Sequence, residues 1–325
     1  MEDTAIPEKG ITDRSRHLIL ACLIGLAAGC YAALAIGLQR HGYVSDFQFF
    51  WDSARILLSG GNPYHGFPTT VPDPLYYPLP TVLAAVPLAY LPVWAAGGVA
   101  VGVSAAVLAA VTPRWRWGLF ASSSFLMAAS LGQWSPLIVV GALVPAAGYL
   151  AALKPNLGLA GFAYRPTWLG VGLGLLAGLI SLAFLPSWPW DWLANLKTLE
   201  GHPPPLFTLG GCWIGLAVLR WRQPEARLLL AMAAVPQLLF FADQLPLWLV
   251  ARTRRETILL SLCSLAGYAG FVLFLNSSMP YVPQAAPWVL GLVYGPALAV
   301  VLARRHAARA SAEDLRLANT SVYAW

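Results

Sequence analysis

Residues 18–38 read LILACLIGLAAGCYAALAIGL, an uncharged apolar stretch of the length, about 20 residues, that roughly 30 Å of hydrocarbon requires of a helix. It lacks a small-residue cleavage pattern, and further apolar segments follow it. It is therefore expected to be a first membrane span and not a cleaved signal. The rest of the chain has the same character. Hydrophobic residues fill 58% of the 325 positions and charged ones only 10%, against about 25% charged in a soluble domain. Of the 34 Asp, Glu, Lys and Arg residues, seven precede Leu18 and six follow Ala303. The expectation is an all-α, polytopic transmembrane helical bundle: one transmembrane domain over residues 18–303, with the tails 1–17 and 304–325 in the cytoplasm.

The formal net charge of +6 does not point to nucleic acid. The cations lie in short clusters beside apolar segments, as the positive-inside rule predicts. Arg14 and Arg16, Arg220, Arg222 and Arg227, Arg252, Arg254 and Arg255, and Arg304, Arg305 and Arg309 are the cytoplasmic candidates. The long polar loop 42–78 carries one Lys or Arg, Arg55, and is expected on the outer face, as is a second loop at 186–205. Cys22, Cys30, Cys212 and Cys263 lie in apolar stretches without C-x-x-C spacing, which implies neither a disulfide framework nor zinc. No metal or other cofactor is expected. The fourteen Trp residues crowd near segment ends, as interfacial belts do.

Counting apolar pieces along the chain gives nine to eleven segments. Several are short or interrupted by Pro and Gly, which a membrane tolerates only where neighbours or water satisfy the freed backbone groups. The stretch 228–251, with Arg227 before it and Arg252 after it, fits a shallow hairpin turning at Asp243. Gly172-x-Gly174-x-x-Ala177 matches a dinucleotide fingerprint, but no strand precedes it. Gly170, Gly174 and Gly178 at four-residue spacing instead indicate a close helix-packing face.

In the first loop, Ser45 followed by Gln48 is a capping-box signature for a helix start. Phe47, Phe50, Trp51, Ala54, Leu57 and Leu58 then fall on one face, with Gln48, Asp52, Arg55 and Ser59 on the other. Gly60-Gly61 and Asn62-Pro63 end the helix. A helix with one aromatic face, directly after a span, is expected to lie in the membrane interface. Asp46 sits in its first turn, and spacing alone leaves it as either a helix cap or a reactive base. The loop continues through Tyr64-His65, Asp73 and Tyr76-Tyr77-Pro78. Aromatics beside carboxylates and amides suit a sugar, and equally a membrane interface.

These pieces, in order, resemble the GT-C superfamily of integral-membrane glycosyltransferases, in particular its prokaryotic polyprenyl-phosphate-mannose-dependent branch. The resemblance rests on Asp46-Phe47 with Trp51 and Ala54, Leu58-Ser59-Gly60-Gly61-Asn62-Pro63-Tyr64, and Tyr77-Pro78-Leu79-Pro80. Pro87-Leu88, Leu91-Pro92, Gly132-Gln133-Trp134, Lys154-Pro155 and the Asp243 segment follow in the same order. It covers roughly residues 18–275, and the first loop is its most specific part.

The resemblance implies an inverting transfer of a sugar, mannose or a similar hexose or pentose, from a polyprenyl-phosphate donor to a lipid or glycan acceptor. It also implies the outer face of a prokaryotic plasma membrane as the place, and Asp46 as general base. Asp52, Arg55, Tyr64, His65, Tyr77, Lys154, His202 and Asp243 become the substrate-binding candidates. Lys154 is the first choice to meet the donor phosphate, with His202 or Lys197 as alternatives; an interfacial snorkelling lysine is the other account of Lys154. Gln133 is read as structural. One departure stands out: relatives place a basic connection between the Gly-Gln segment and Lys-Pro, whereas residues 136–153 here run straight into Lys154. Two other functional classes remain open, a flippase of lipid-linked sugar and a non-catalytic relative.

Overall fold

The computed structural model describes residues 8–38, 45–65, 74–198 and 202–304, and among these every regular element is helical. Helix α1 runs Glu8–Gly37, ten residues longer at its start than the apolar stretch alone. Helix α2 is Asp46–Leu58, α3 Leu79–Ala85 and α4 Val93–Val111. The pair α5 (Ser123–Leu131) and α6 (Ser135–Leu143) is bent by 120° at its break. A tight 3-10 segment, Pro145–Leu153, leads into α7 (Pro155–Tyr164) and α8 (Trp168–Phe184); α9 (Trp188–Leu196) then turns 106° away from α8. After a further 3-10 segment, Cys212–Arg220, come α10 (Pro224–Ala234), the 3-10 segment Phe241–Val250, and α11 (Arg254–Leu273). The last span is α12 (Tyr281–Val289), a π-helical turn Leu290–Tyr294 and α13 (Gly295–Ala303).

Four of these helices are long and apolar enough to cross a bilayer: Asp13–Gly37, Val93–Val111, Arg254–Leu273 and Tyr281–Ala303; counting each bent pair as one span raises the number to six. The chain is thus a multi-pass helical bundle. The nine to eleven pieces counted in the sequence are real breaks in hydropathy, but most are too short to cross alone. The hairpin expected over 228–251 turns at residues 235–240, and Asp243 lies in its returning limb. Its ends meet, since Arg252 chelates Glu225 with Nε at 2.6 Å and Nη2 at 2.8 Å.

Helices α1 and α4 lie antiparallel and very close, because glycines face each other across the contact. A Cβ on Gly29 would stand 2.8 Å from the Gly98 carbonyl oxygen, and one on Gly25 would stand 2.6 Å from that of Gly102. Small residues at four-residue spacing on both helices allow this approach, the usual route to helix association in lipid. Gly29→Leu is expected to destabilise the fold by about 1–3 kcal/mol through overpacking, read as a lower thermal midpoint in detergent. Gly172→Leu, where nothing lies within 4 Å of the added carbon, is expected to leave the midpoint unchanged. The α8 glycines do form a packing face at one end: Gly170 meets Gly148 of the Pro145–Leu153 segment, with Gly148 Cα 2.7 Å from its added carbon, and Gly174 meets Ala152.

Several of the described arginines gather at one end of the bundle, although Arg55 of α2 is not among them. Arg114 pairs with Asp13 at 3.3 Å, Arg116 donates to the Ala251 carbonyl at 2.8 Å, and Arg304 reaches Glu225 at 3.5 Å and Glu256 at 3.0 Å. Thr253 and Glu256 close a capping box that starts α11 there. Helix α2 and the loop residues around it sit at the opposite end, where α1 finishes and α4 begins.

Candidate active site

Helix α2 begins at Asp46, as its sequence implied, but without the capping box. The Ser45 side chain makes no cap and its buried hydroxyl has no hydrogen-bond partner among the described residues. Gln48 turns forward instead, to Asp52 one turn on. What fixes the helix is its apolar face: Phe47 and Phe50 are fully buried, each worth about 1.5–3 kcal/mol. Phe50 meets Tyr77 edge-on at 4.5 Å, and both phenylalanines pack on Trp134. The helix ends in a Schellman motif. Gly60, with φ 81°, donates to the Leu57 carbonyl, and Gly61 donates to that of Ile56.

A second Schellman motif positions the residue across from Asp46. Helix α5 ends at Gly132, with φ 68°; Gly132 donates to the Ala129 carbonyl and Gln133 to that of Ala128 at 2.8 Å. A Cβ on Gly132 would lie 2.4 Å from Phe47 Cβ, so glycine is needed both for the turn and for contact with α2. The tip Gly132-Gln133-Trp134 of the bent pair is thereby pressed against the first turn of α2. Gln133 is 3% exposed, and its Nε2 donates to Asp46 Oδ2.

Lys154 reaches the same point from a third direction. It precedes Pro155 at the start of α7, with φ −145° and ψ 83°, outside the helical region that a following proline disfavours, and Thr81 of α3 anchors the preceding Leu153 carbonyl at 2.6 Å. The ammonium lies 2.5 Å from Asp243 Oδ1, donates to Gln133 Oε1 at 3.2 Å, and stands 5.7 Å over the Tyr77 ring. Asp243 belongs to the Phe241–Val250 segment, every residue of which is buried. Side chains from α2, the α5–α6 tip, α7 and the 3-10 segment thus form one polar row, Asp46–Gln133–Lys154–Asp243, inside an apolar bundle. Burial pushes the Asp46 carboxyl up to about 6; Lys154 opposes that rise and Asp243 adds to it.

The sequence-derived candidates therefore separate. Asp46, Tyr77, Lys154 and Asp243 come together. Lys154 is neither snorkelling nor unpaired, and its ammonium is held by Asp243 and Gln133. Tyr64 is 5% exposed and its hydroxyl donates to the Tyr77 carbonyl at 2.9 Å, so it braces the loop. His65 joins a different group, 3.1 Å from Asp191 of α9. Asp191 also accepts from Asn62 at 2.9 Å and Ser187 at 2.7 Å, while Trp192 donates to the Tyr76 carbonyl at 2.9 Å. These contacts bind the second loop to the first, and Asp191 was not among the sequence candidates.

Arg55 is exposed, 4.6 Å over the Trp51 ring, and lines a cleft of about 620 Å³ with Ser59, Tyr90 and Leu91. It stands nine residues after Asp46, roughly 13 Å along the helix axis and on the opposite face, so the two cannot serve one reacting centre. Asp52, partly buried between them in sequence, has its carboxyl raised by burial against the opposing effects of Gln48 and Arg55. His202 is half-buried and directly precedes Pro203. Pro203 walls a second, apolar cleft of about 620 Å³ with Trp213, Leu239, Ala286 and Leu290. Asp73 lies outside the described residues. No group of three or more metal-ligating His, Cys, Asp or Glu side chains occurs among those described. Compared with known family models, curated proteins and solved structures, the chain matches none, so the chemistry of this site is argued from its own geometry.

Proposed function

We propose that the chain is an inverting membrane glycosyltransferase, with Asp46 as general base. One observation carries this: among the described residues, the one first-loop carboxylate joined to the buried polar row is the one the GT-C resemblance marks, and its carboxyl, pushed up to about 6, is ionised near neutral pH yet still basic enough to take a proton. Asp46 removes the proton of an acceptor hydroxyl as that oxygen attacks the anomeric carbon of a polyprenyl-phosphate sugar. The bond from that carbon to the phosphate oxygen breaks on the opposite face, and polyprenyl phosphate leaves with the electron pair. A lipid or glycan acceptor gains the sugar, mannose or a similar hexose or pentose.

The apolar cleft beside Leu239 suits a polyprenyl chain. His202, beside Pro203 at the edge of that cleft, is the side chain proposed to donate a hydrogen bond to the leaving phosphate, as developing negative charge requires. With the arginine-rich end assigned to the cytoplasm by the positive-inside rule, the α2 end would face the outside, and the GT-C resemblance implies that the membrane is a prokaryotic plasma membrane. Purified protein in vesicles loaded with a labelled polyprenyl-phosphate sugar and an acceptor lipid tests the proposal. A new glycosidic bond of inverted configuration is expected; translocation of the donor with no new bond would identify a flippase instead.

A further inference from the structure

The row from Asp46 to Asp243 contains one neutral member, and its chemistry dictates more than packing. Gln133 Oε1 accepts from the Lys154 ammonium, and Nε2 donates to Asp46 Oδ2. Only this amide orientation is possible. Flipped, it would set an NH2 group against an ammonium that has only protons, and a carbonyl oxygen against a carboxylate that has only lone pairs. Lys154 keeps the amide from flipping, and Asp243, at 2.5 Å, keeps Lys154 charged and in place. Among the described residues, Asp46 Oδ2 is thus occupied and no hydrogen bond reaches Oδ1. The charged and titratable groups facing this carboxylate are Lys154, Asp243 and Tyr77; Gln133 stands between it and the first two.

We infer that Gln133 is a positioning residue of the reaction: its amide holds Asp46 by Oδ2, leaves Oδ1 to receive the acceptor proton, and couples that carboxylate to the Lys154–Asp243 pair. This rests on the proposed transfer, but it makes a claim about Asp46 itself that can be read without any turnover. Infrared titration of the whole protein, taken as the difference between wild type and Asp46→Asn, gives the protonation midpoint of Asp46. Gln133→Leu removes a donor to the ionised form, so the midpoint is expected to move to higher pH. Gln133→Glu keeps the shape and the Lys154 contact but sets a second carboxylate beside Asp46. It is expected to move the midpoint in the same direction, and it serves where the leucine variant fails to fold.

In the transfer assay, Gln133→Leu is expected to lower kcat by about 10- to 100-fold, the effect of one hydrogen bond to a charged group. The acceptor KM should stay near wild type, and the acidic limb of the pH profile should move with the infrared midpoint. A folded variant with an unchanged midpoint and an unchanged limb would overturn the inference. If the wild type transfers no sugar, the reaction proposal fails, while the infrared result still decides whether Gln133 governs Asp46.

Discussion

Asp46→Asn is expected to lower turnover by about 10²–10⁴-fold, the usual contribution of a positioned general base, with little change in thermal stability. The amide still accepts from Gln133 through its oxygen, so the first turn of α2 keeps its contact with the Gly132-Gln133-Trp134 tip. What is lost is the group that takes the acceptor proton. In the wild type, activity should fall as pH drops through about 6, where burial has brought the Asp46 carboxyl; below that value the carboxyl holds a proton and cannot accept another. Initial rates across pH, for wild type and Asp46→Asn at saturating donor, check both points. A wild-type rate that is flat through pH 6, or an asparagine variant with near-normal turnover, would contradict the assignment.

The second large effect concerns the pair behind it. Lys154 is 8% exposed and Asp243 2%. Removing one partner of such a pair leaves a charge with no compensation in an apolar surround, which costs about 3–5 kcal/mol. Lys154→Met and Asp243→Asn should therefore each lower the thermal midpoint markedly. The double variant Lys154→Met with Asp243→Leu removes both charges and should recover most of the stability, because apolar replacements of a buried pair are often neutral or better. Transfer should not recover with it, since Gln133 has lost the ammonium that orients its amide. Recovery of stability and activity together would mean that the pair is structural only.

The particular residues explain how far the sequence could be read. The first span, the extent of α2 and its Gly60-Gly61 stop follow from local rules, and the structure has all three. The capping box failed because Gln48 has a competing partner, Asp52, one turn further along the same helix, and spacing cannot rank two such partners. Lys154 and Asp243 stand out in the sequence as charges in apolar surroundings, while Asp46 is marked by its place in the first turn of α2 and by the GT-C resemblance. That Lys154 and Asp243 neutralise one another is a contact between residues 89 positions apart, which no window along the chain contains. Gln133 carries no charge and so drew little notice. The signal that marks it is Gly132, a left-handed helix end that turns the next side chain toward α2. Asp191 is hidden for a related reason: its partners Asn62 and His65 lie in the other loop, 129 and 126 positions away. The hydropathy pieces overstated the number of crossings because tight 3-10 segments and bent pairs are as apolar as true spans.

The most direct test of the account is the position of the sugar. A structure of the protein with a non-transferable polyprenyl-phosphate sugar analogue and acceptor lipid bound should have the acceptor hydroxyl within hydrogen-bond reach, about 2.6–3.2 Å, of Asp46 Oδ1, with the anomeric carbon beyond it and the phosphate on the far side near His202. A sugar held at the Arg55–Trp51 cleft, or anywhere that leaves Asp46 out of reach of both substrates, would contradict it.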